Sequence, residues 1–350
     1  YFVKNAFSLK FISLFIQNSI HYVQVNGDNT YNNMNKSTIQ ESRQPLVSVI
    51  IPNYNHARYL EQRLDSVFNQ TYPNFEVIIL DDCSTDNSLE VINRYKDNPH
   101  LRQIVVNETN SGSVFKQWDK GINLAKGDLI WIAESDDYCE LNLLEELVKA
   151  YTKQPHCVLA YSTIIFVDDE GNRWGGEYKA RNQYLSGTSY LRSYLSMYNY
   201  VLNASCAIFS KEAALQISPD YISMKAAGDY LFWVELVSKG NVAIVNKRLS
   251  YFRRHASTVT GISAFSGILA VEEKRIYDFI ERVLPMSWLR RRLVMAYRAV
   301  RLDSSKLPTE VQSEVEELWH FTHFQTPFDK LLVKTYSRSV KYLHYHLRFH

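Results

Sequence analysis

The sequence predicts an α/β fold built on a mostly parallel sheet, and three observations carry that prediction. Leu46 to Ile51, Phe75 to Leu80 and Leu129 to Ala133 are short, almost wholly apolar runs, as strands buried on both faces require. Between the first two, Tyr59, Leu60, Leu64, Val67 and Phe68 recur at the spacing of an amphipathic helix. The second and third runs end in acidic clusters, Asp81-Asp82 and Glu134-Ser135-Asp136-Asp137, and ligands of open α/β sheets bind beyond the carboxyl ends of the strands.

The chain has 350 residues, 46% of them hydrophobic and 13% aromatic, enough for one large domain with an appendage. Its 39 basic and 37 acidic residues leave a net charge of +2, so no global field favours nucleic acid as a partner. Cys83, Cys139, Cys157 and Cys206 form neither a CxxC pair nor a disulfide framework, which fits a reducing cytoplasm and argues against thiolate metal binding.

Residues 1–44 read as a disordered leader or as sequence preceding a true start at Met34. Their apolar run from Phe7 to Ile16 is broken by Ser8, Lys10 and Ser13, well short of the roughly 20 residues of a spanning helix. From Pro45 the pattern becomes βαβ: strand 46–51, helix 57–69, strand 75–80, helix 87–96, strand 103–106, helix 114–126 and strand 129–133. This nucleotide-binding half spans 45–140, and a second half spans 141–262. The second half holds a helix over 141–153, a strand over 157–167 with a turn at Asp168 to Asn172, a helix opening at Gly228-Asp229 and a strand over 241–252. Tyrosines 184, 190, 194, 198 and 200 read as ordinary packing. Residues 263–350 read as helices: 268–283, 286–300, 309–321 and 328–349. The last mixes Lys and Arg with Leu, Tyr and Val, a face for docking or oligomer contact, or for an anionic membrane surface.

Crowded carboxylates such as Glu134, Asp136 and Asp137 repel one another, and solvation, protonation or a hard divalent cation relieves the repulsion. Both a solvated acidic turn and a metal site satisfy that condition. Asp82, at the same edge, is placed to accept the imide N–H of a uracil ring, whereas Asp86 reads as a cap for the next helix. Asp229 reads either as a general base or as the N-cap of the helix it opens.

In order and spacing, Val47 to Asn55, Ser66 to Thr71, Asp81-Asp82-x-Ser84-Thr85-Asp86-x-Ser88, Asn110-x-Gly112 and Glu134-Ser135-Asp136-Asp137 resemble a family 2 glycosyltransferase, over Pro45 to about His255. The resemblance implies a GT-A fold, a nucleotide-diphosphate sugar donor linked to UDP, Mg²⁺ or Mn²⁺, and inversion at the anomeric carbon. It also implies that Pro52 and Tyr54 line the base pocket, that Asp82 binds the base, that Asp136 contacts the ribose, and that Asp136, Asp137 and His255 hold the metal. Asp229 matches the catalytic base. Three positions depart from the family pattern: Glu134 stands for the first Asp of its DxD, Trp118 for the Arg of Arg-Asn-x-Gly, and Gly228 for the acid before Asp229. Lys116 or Lys120 is the expected substitute for the missing Arg, with Trp118 in the core.

The expected activity is thus transfer of a sugar to a hydroxyl of a glycan, lipid-linked saccharide or glycoconjugate in surface polysaccharide synthesis, in the cytoplasm or peripherally at the membrane's inner face. A nucleotidyltransferase would want a basic Gly-rich loop after the first strand and a dehydrogenase would want GxGxxG there; Pro52-Asn53-Tyr54-Asn55 supplies neither. A catalytically inactive carbohydrate-binding relative is the other alternative.

Overall fold

A computed structural model describes residues 44–175, 181–254, 267–303 and 307–346. The expected leader, all but Gln44 of it, and His255 lie outside the described residues.

The chain divides into two units, one of residues 39–187 with 201–258 and the other of 188–200 with 259–350. The first is built on a ten-stranded sheet whose main path runs β3-β2-β1-β4-β9-β6-β10-β5. Its strands are β1 (Val47–Asn53), β2 (Phe75–Asp81), β3 (Leu101–Val106), β4 (Leu129–Ile132), β5 (Tyr138–Cys139), β6 (Cys157–Val167), β7 (Arg173–Trp174), β8 (Gln183–Leu185), β9 (Ala207–Ser210) and β10 (Asn241–Arg253). β1 pairs in parallel with β2 and β4, β2 with β3, and β6 with β10. The mostly parallel sheet therefore stands as expected. β9 is the departure: it lies antiparallel between β4 and β6, and its four residues are too short to show a period.

The helices of this unit are α1 (Ala57–Phe68), α2 (Ser88–Asn93), α3 (Val114–Leu124), α4 (Leu143–Lys153) and α5 (Gly228–Val237). Val49, Ile51, Val77, Ile79 and Trp131 of the sheet share one core with Leu60, Leu64 and Val67 of α1 and Leu143, Leu144 and Leu147 of α4. Each such side chain, fully buried, contributes roughly 1.5–3 kcal/mol. On α3, Gly121 allows a close approach to the sheet, for a Cβ there would lie 2.4 Å from the Ile50 side chain.

The second unit holds α6 (Ile268–Val283), α7 (Trp288–Asp303), α8 (Thr309–Trp319) and α9 (Pro327–His346). Its core joins Tyr277, Val294, Ala296, Val315, Trp319, Phe321 and Leu332, and Met197 from the segment before the last β-strands packs into it. Buried Arg298 explains that membership, donating to Glu273 Oε2 at 2.8 Å and to the Ser196 carbonyl at 3.4 Å. Leu332, Val333 and Tyr336 of α9 are buried in the same core, and Asp329 receives Arg292 through two bonds of 2.6 and 2.8 Å. Through Leu332, Val333 and Tyr336 the last helix is thus docked on its own helical unit. Among the described residues no helix is long and apolar enough to cross a membrane.

Candidate active site

The carboxyl ends of β1 and β2 are zipped together by side chains. Asn55, whose φ of 56° is the left-handed turn conformation that Asn tolerates, accepts the Thr85 and Asp86 N–H groups on Oδ1 at 2.7 and 3.3 Å. Its own N–H donates to Ser84 Oγ at 3.0 Å. Behind it, buried Asp81 accepts Asn53 Nδ2 at 2.8 Å and the Ser84 N–H at 2.9 Å. Asp86 accepts the first N–H of α2, from Ser88, and the first N–H of α1, from Ala57, both at 2.9 Å, while the cap residues by position are Asn87 and His56. Partial burial works the other way, but the bonds from Ser88 and Ala57 hold the Asp86 carboxyl below the usual range.

The acidic turn after β4 is gripped from three sides. From α1, buried Arg63 donates Nε to the Glu134 carbonyl at 2.8 Å, and His56 Nδ1 lies 2.8 Å from Ser135 Oγ. From the turn before β9, Ser205 Oγ accepts the Glu134 N–H at 3.0 Å. From the end of β10, Arg253 donates Nε to the Asp136 carbonyl at 2.8 Å.

Asp137 is the keystone of this grip. Its carboxylate, 1% exposed, accepts Asn203 Nδ2 and Ser205 Oγ at 2.7 Å each and the Arg253 N–H at 2.9 Å, with Arg63 Nη2 at 3.8 Å. Both oxygens of Asp137, one of the residues expected to hold the metal, face buried donors. Asp136, next to it in the turn, is half-buried. Burial pushes the Asp137 carboxyl up to about 7, the Asp136 charge adds to this, and Arg63 opposes it. Glu134 is pushed up to about 8 by burial and then by Asp136, against the bond it accepts from Trp118.

The remaining expected residues are placed as follows. Pro52 is buried on β1 opposite Leu80, and Tyr54 beyond it is 46% exposed. Asp82, 5% exposed, holds the loop after β3: it accepts Asn107 Nδ2 at 2.6 Å, Ser111 Oγ at 2.7 Å, the Ser111 N–H at 2.9 Å and Gln117 Nε2 at 3.0 Å. Lys116 and Lys120 are bound to that loop too, at the Ser111 carbonyl and Asn107 Oδ1. Asp229 is half-buried in the first turn of α5; the cap residue is Ala227, and Asp229 Oδ1 accepts the Tyr230 N–H at 2.8 Å. Arg253 spends its guanidinium on the Asp136 and Asp168 carbonyls and on Gln62.

Comparison with known proteins agrees with these motifs. Residues 48–217 match the sequence profile described as Glycosyl transferase family 2. Residues 48–217 belong to that family. The chain is 39% identical over 132 residues to a hyaluronan synthase of Pasteurella multocida, a match covering 37% of the chain and 13% of the synthase. It is 26% identical over 272 residues to the glycosyltransferase GlyG of Streptococcus pneumoniae, covering 71% of the chain and 85% of GlyG. The chain spans 13%, 51% and 13% of the length of the first three relatives it matches. Its fold is that of Staphylococcus aureus TarS residues 1–349, solved with UDP-GlcNAc, at a TM-score of 0.54 and 18% identity over 84% of this chain and 92% of that one. The GT-A expectation therefore stands.

Two departures of this chain from the family pattern are joined in space. Trp118, buried as expected, donates its indole N–H to Glu134 Oε1 at 2.9 Å, so the longer acid and the aromatic form one contact. The same indole packs against Phe232 and Trp233 of α5. The third departure has a steric cause: a Cβ at Gly228 would lie 2.5 Å from the Phe115 ring and 2.7 Å from the Tyr221 carbonyl. Arg63, Asn203 and Ser205 were not singled out from sequence. Only Arg63 left a signal, as a charge on the apolar stripe of Leu60, Leu64 and Val67.

Proposed function

We propose that this chain transfers a sugar from a UDP-linked donor to a hydroxyl of a saccharide acceptor, with inversion, in the assembly of a surface polysaccharide. The observation that carries the reading is the convergence of three polar turns, after β1, β2 and β4, at one carboxyl edge, each braced by side chains of the others' helices or loops. Tyr54 and Pro52 offer the base an apolar wall, and a uracil imide N–H competes with the Ser111 hydroxyl for Asp82 Oδ2. Asp136 faces the ribose. GlyG aligns along most of its length, and the relatives include a hyaluronan synthase, a chondroitin synthase and TuaG of Bacillus subtilis, named as a putative teichuronic acid biosynthesis glycosyltransferase.

Mg²⁺ or Mn²⁺ takes hard oxygen ligands and is commonly bound through one or two carboxylates plus substrate phosphates. Asp136 with Glu134 fits that donor set, and the repulsion that pushes Glu134 up is what a cation relieves. When bound, the ion supplies positive charge against the departing diphosphate. Among the described residues no three acidic, His or Cys groups cluster to hold a metal by themselves, which suits a site completed by the donor.

An inverting displacement needs no enzyme nucleophile, but the attacking hydroxyl must lose its proton, and Asp229 on the first turn of α5 is the carboxylate assigned to take it. The test is release of UDP from a panel of UDP-sugars with saccharide acceptors, for the parent and Asp229→Asn. Removal of a general base costs about 100-fold to 10,000-fold, so the variant should bind UDP normally and turn over at least about 100 times more slowly. A variant above half the parental rate would remove Asp229 from the chemistry.

A further inference from the structure

We propose that Trp174, backed by Phe166 and Phe252, stacks on the acceptor, and that the acceptor is a chain of pyranose rings bearing carboxylates, read by Arg254. The inference rests on the glycosyl-transfer reading and names the substrate class on its acceptor side. Strand register makes the platform. Phe252 of β10 pairs with Phe166 of β6, and Phe166 with Trp174 of β7, so three adjacent strands place three aromatics in one row. The rings touch accordingly: Phe166 and Trp174 stack at 5.7 Å and 15°, and Phe166 and Phe252 lie at 5.8 Å and 37°. With strands about 4.8 Å apart the row is roughly 10 Å long, which exceeds one sugar ring.

The row is not spent on the core. Trp174 is 46% exposed, and Phe166 and Phe252 are half-buried. Flat aromatic faces present a large apolar area at low entropic cost, and the C–H face of a pyranose is the matching surface. An open-chain polyol phosphate has no ring face to offer, so the geometry selects a pyranose over it.

Charge selects further. The Arg254 guanidinium lies over Phe252 at 4.5 Å and over Phe166 at 5.4 Å, and among the described residues it has no carboxylate partner. A planar guanidinium held on aromatic faces is pre-oriented to take a carboxylate through two parallel bonds. Arg253, between Phe252 and Arg254, donates to the Asp136 carbonyl, to Asp137, and to the Asp168 carbonyl in the β6–β7 turn, so the strand that carries Phe252 also braces the acidic turn.

The experiment is titration calorimetry of the full chain with a hyaluronan tetrasaccharide, its carboxyl-reduced neutral form, a ribitol-phosphate oligomer and UDP. Parent, Trp174→Ala and Arg254→Gln are compared. The parent should bind the uronate saccharide most tightly. Trp174→Ala should weaken it by about tenfold or more, the scale of one aromatic stack, and Arg254→Gln should bind the uronate and reduced forms alike, with UDP affinity unchanged in both variants. The proposal is overturned if Trp174→Ala binds the tetrasaccharide as the parent does, if the neutral or ribitol-phosphate ligand binds as well as the uronate, or if no saccharide binds a parent that binds UDP. Saccharide binding that depends on Trp174 in a parent that ignores UDP would uphold the platform while removing the donor reading.

Discussion

Asp137→Ala separates an architectural carboxylate from a metal ligand. The substitution leaves Asn203 Nδ2, the Ser205 hydroxyl and the Arg253 N–H without their acceptor, and leaves Arg63, 0% exposed, without its nearest counter-charge. An orphaned buried donor costs about 1–3 kcal/mol, and breaking a buried ion pair from one side costs about 3–5 kcal/mol. These terms share the same atoms and overlap, so the loss should be about 3–5 kcal/mol in all. Asp137→Asn keeps one acceptor oxygen and should lose less, which gives a folded variant for comparison. Urea unfolding without divalent metal, followed by tryptophan fluorescence, reads the effect, since Trp131 donates its indole N–H to the Ser205 carbonyl in this corner. A loss below about 1 kcal/mol, together with abolished Mn²⁺-dependent UDP binding, would refute the reasoning and return Asp137 to the metal.

Glu134→Gln should flatten the fall of stability with pH. A carboxyl raised from 4.5 to about 8 binds its proton more tightly folded than unfolded, so the parent loses stability as pH rises from about 4.5 through 8. Melting temperatures of parent and variant should therefore match best near pH 4.5 and diverge by pH 8, and parallel curves would count against it. Gly228→Ala should destabilise by about 1–3 kcal/mol through overpacking against Phe115, and the same change in a Phe115→Leu background should cost less in thermal melts. Asp86→Ala removes the acceptor of the first N–H of two helices, α1 and α2, and should cost about 1–2 kcal/mol by urea titration; a loss within about 0.3 kcal/mol of zero would contradict the shared acceptor.

What was legible in the sequence was what a local period or a short polar cluster can encode. The strands from Val47 to Asn53 and from Phe75 to Asp81 declare themselves as apolar runs, and α1 by its stripe. β9 did not, because four residues show no period and its place between β4 and β6 is set by pairing across long separations. Likewise the acidic turn was legible as a cluster, yet which carboxylate is held among buried donors was not. Asn203, Ser205 and Arg253 decide that, from segments 66 to 116 residues away. Trp118 and Glu134 looked like two separate departures because sixteen residues separate them, and only the fold shows them as one hydrogen bond. Thr188 to Tyr200 was read with the sheet, whereas the buried Arg298 and Met197 contacts tie it to the helices.

The central claim is that the edge formed by the turns after β1, β2 and β4 binds a uridine diphosphate with a divalent cation, and calorimetry of UDP with the full chain tests it most directly. With Mn²⁺ present UDP should bind, and chelation should weaken it. Asp136→Asn should remove the Mn²⁺ dependence while leaving the metal-free affinity near that of the parent. Equal affinity for UDP with and without Mn²⁺ in the parent, or no UDP binding under either condition, would contradict the account.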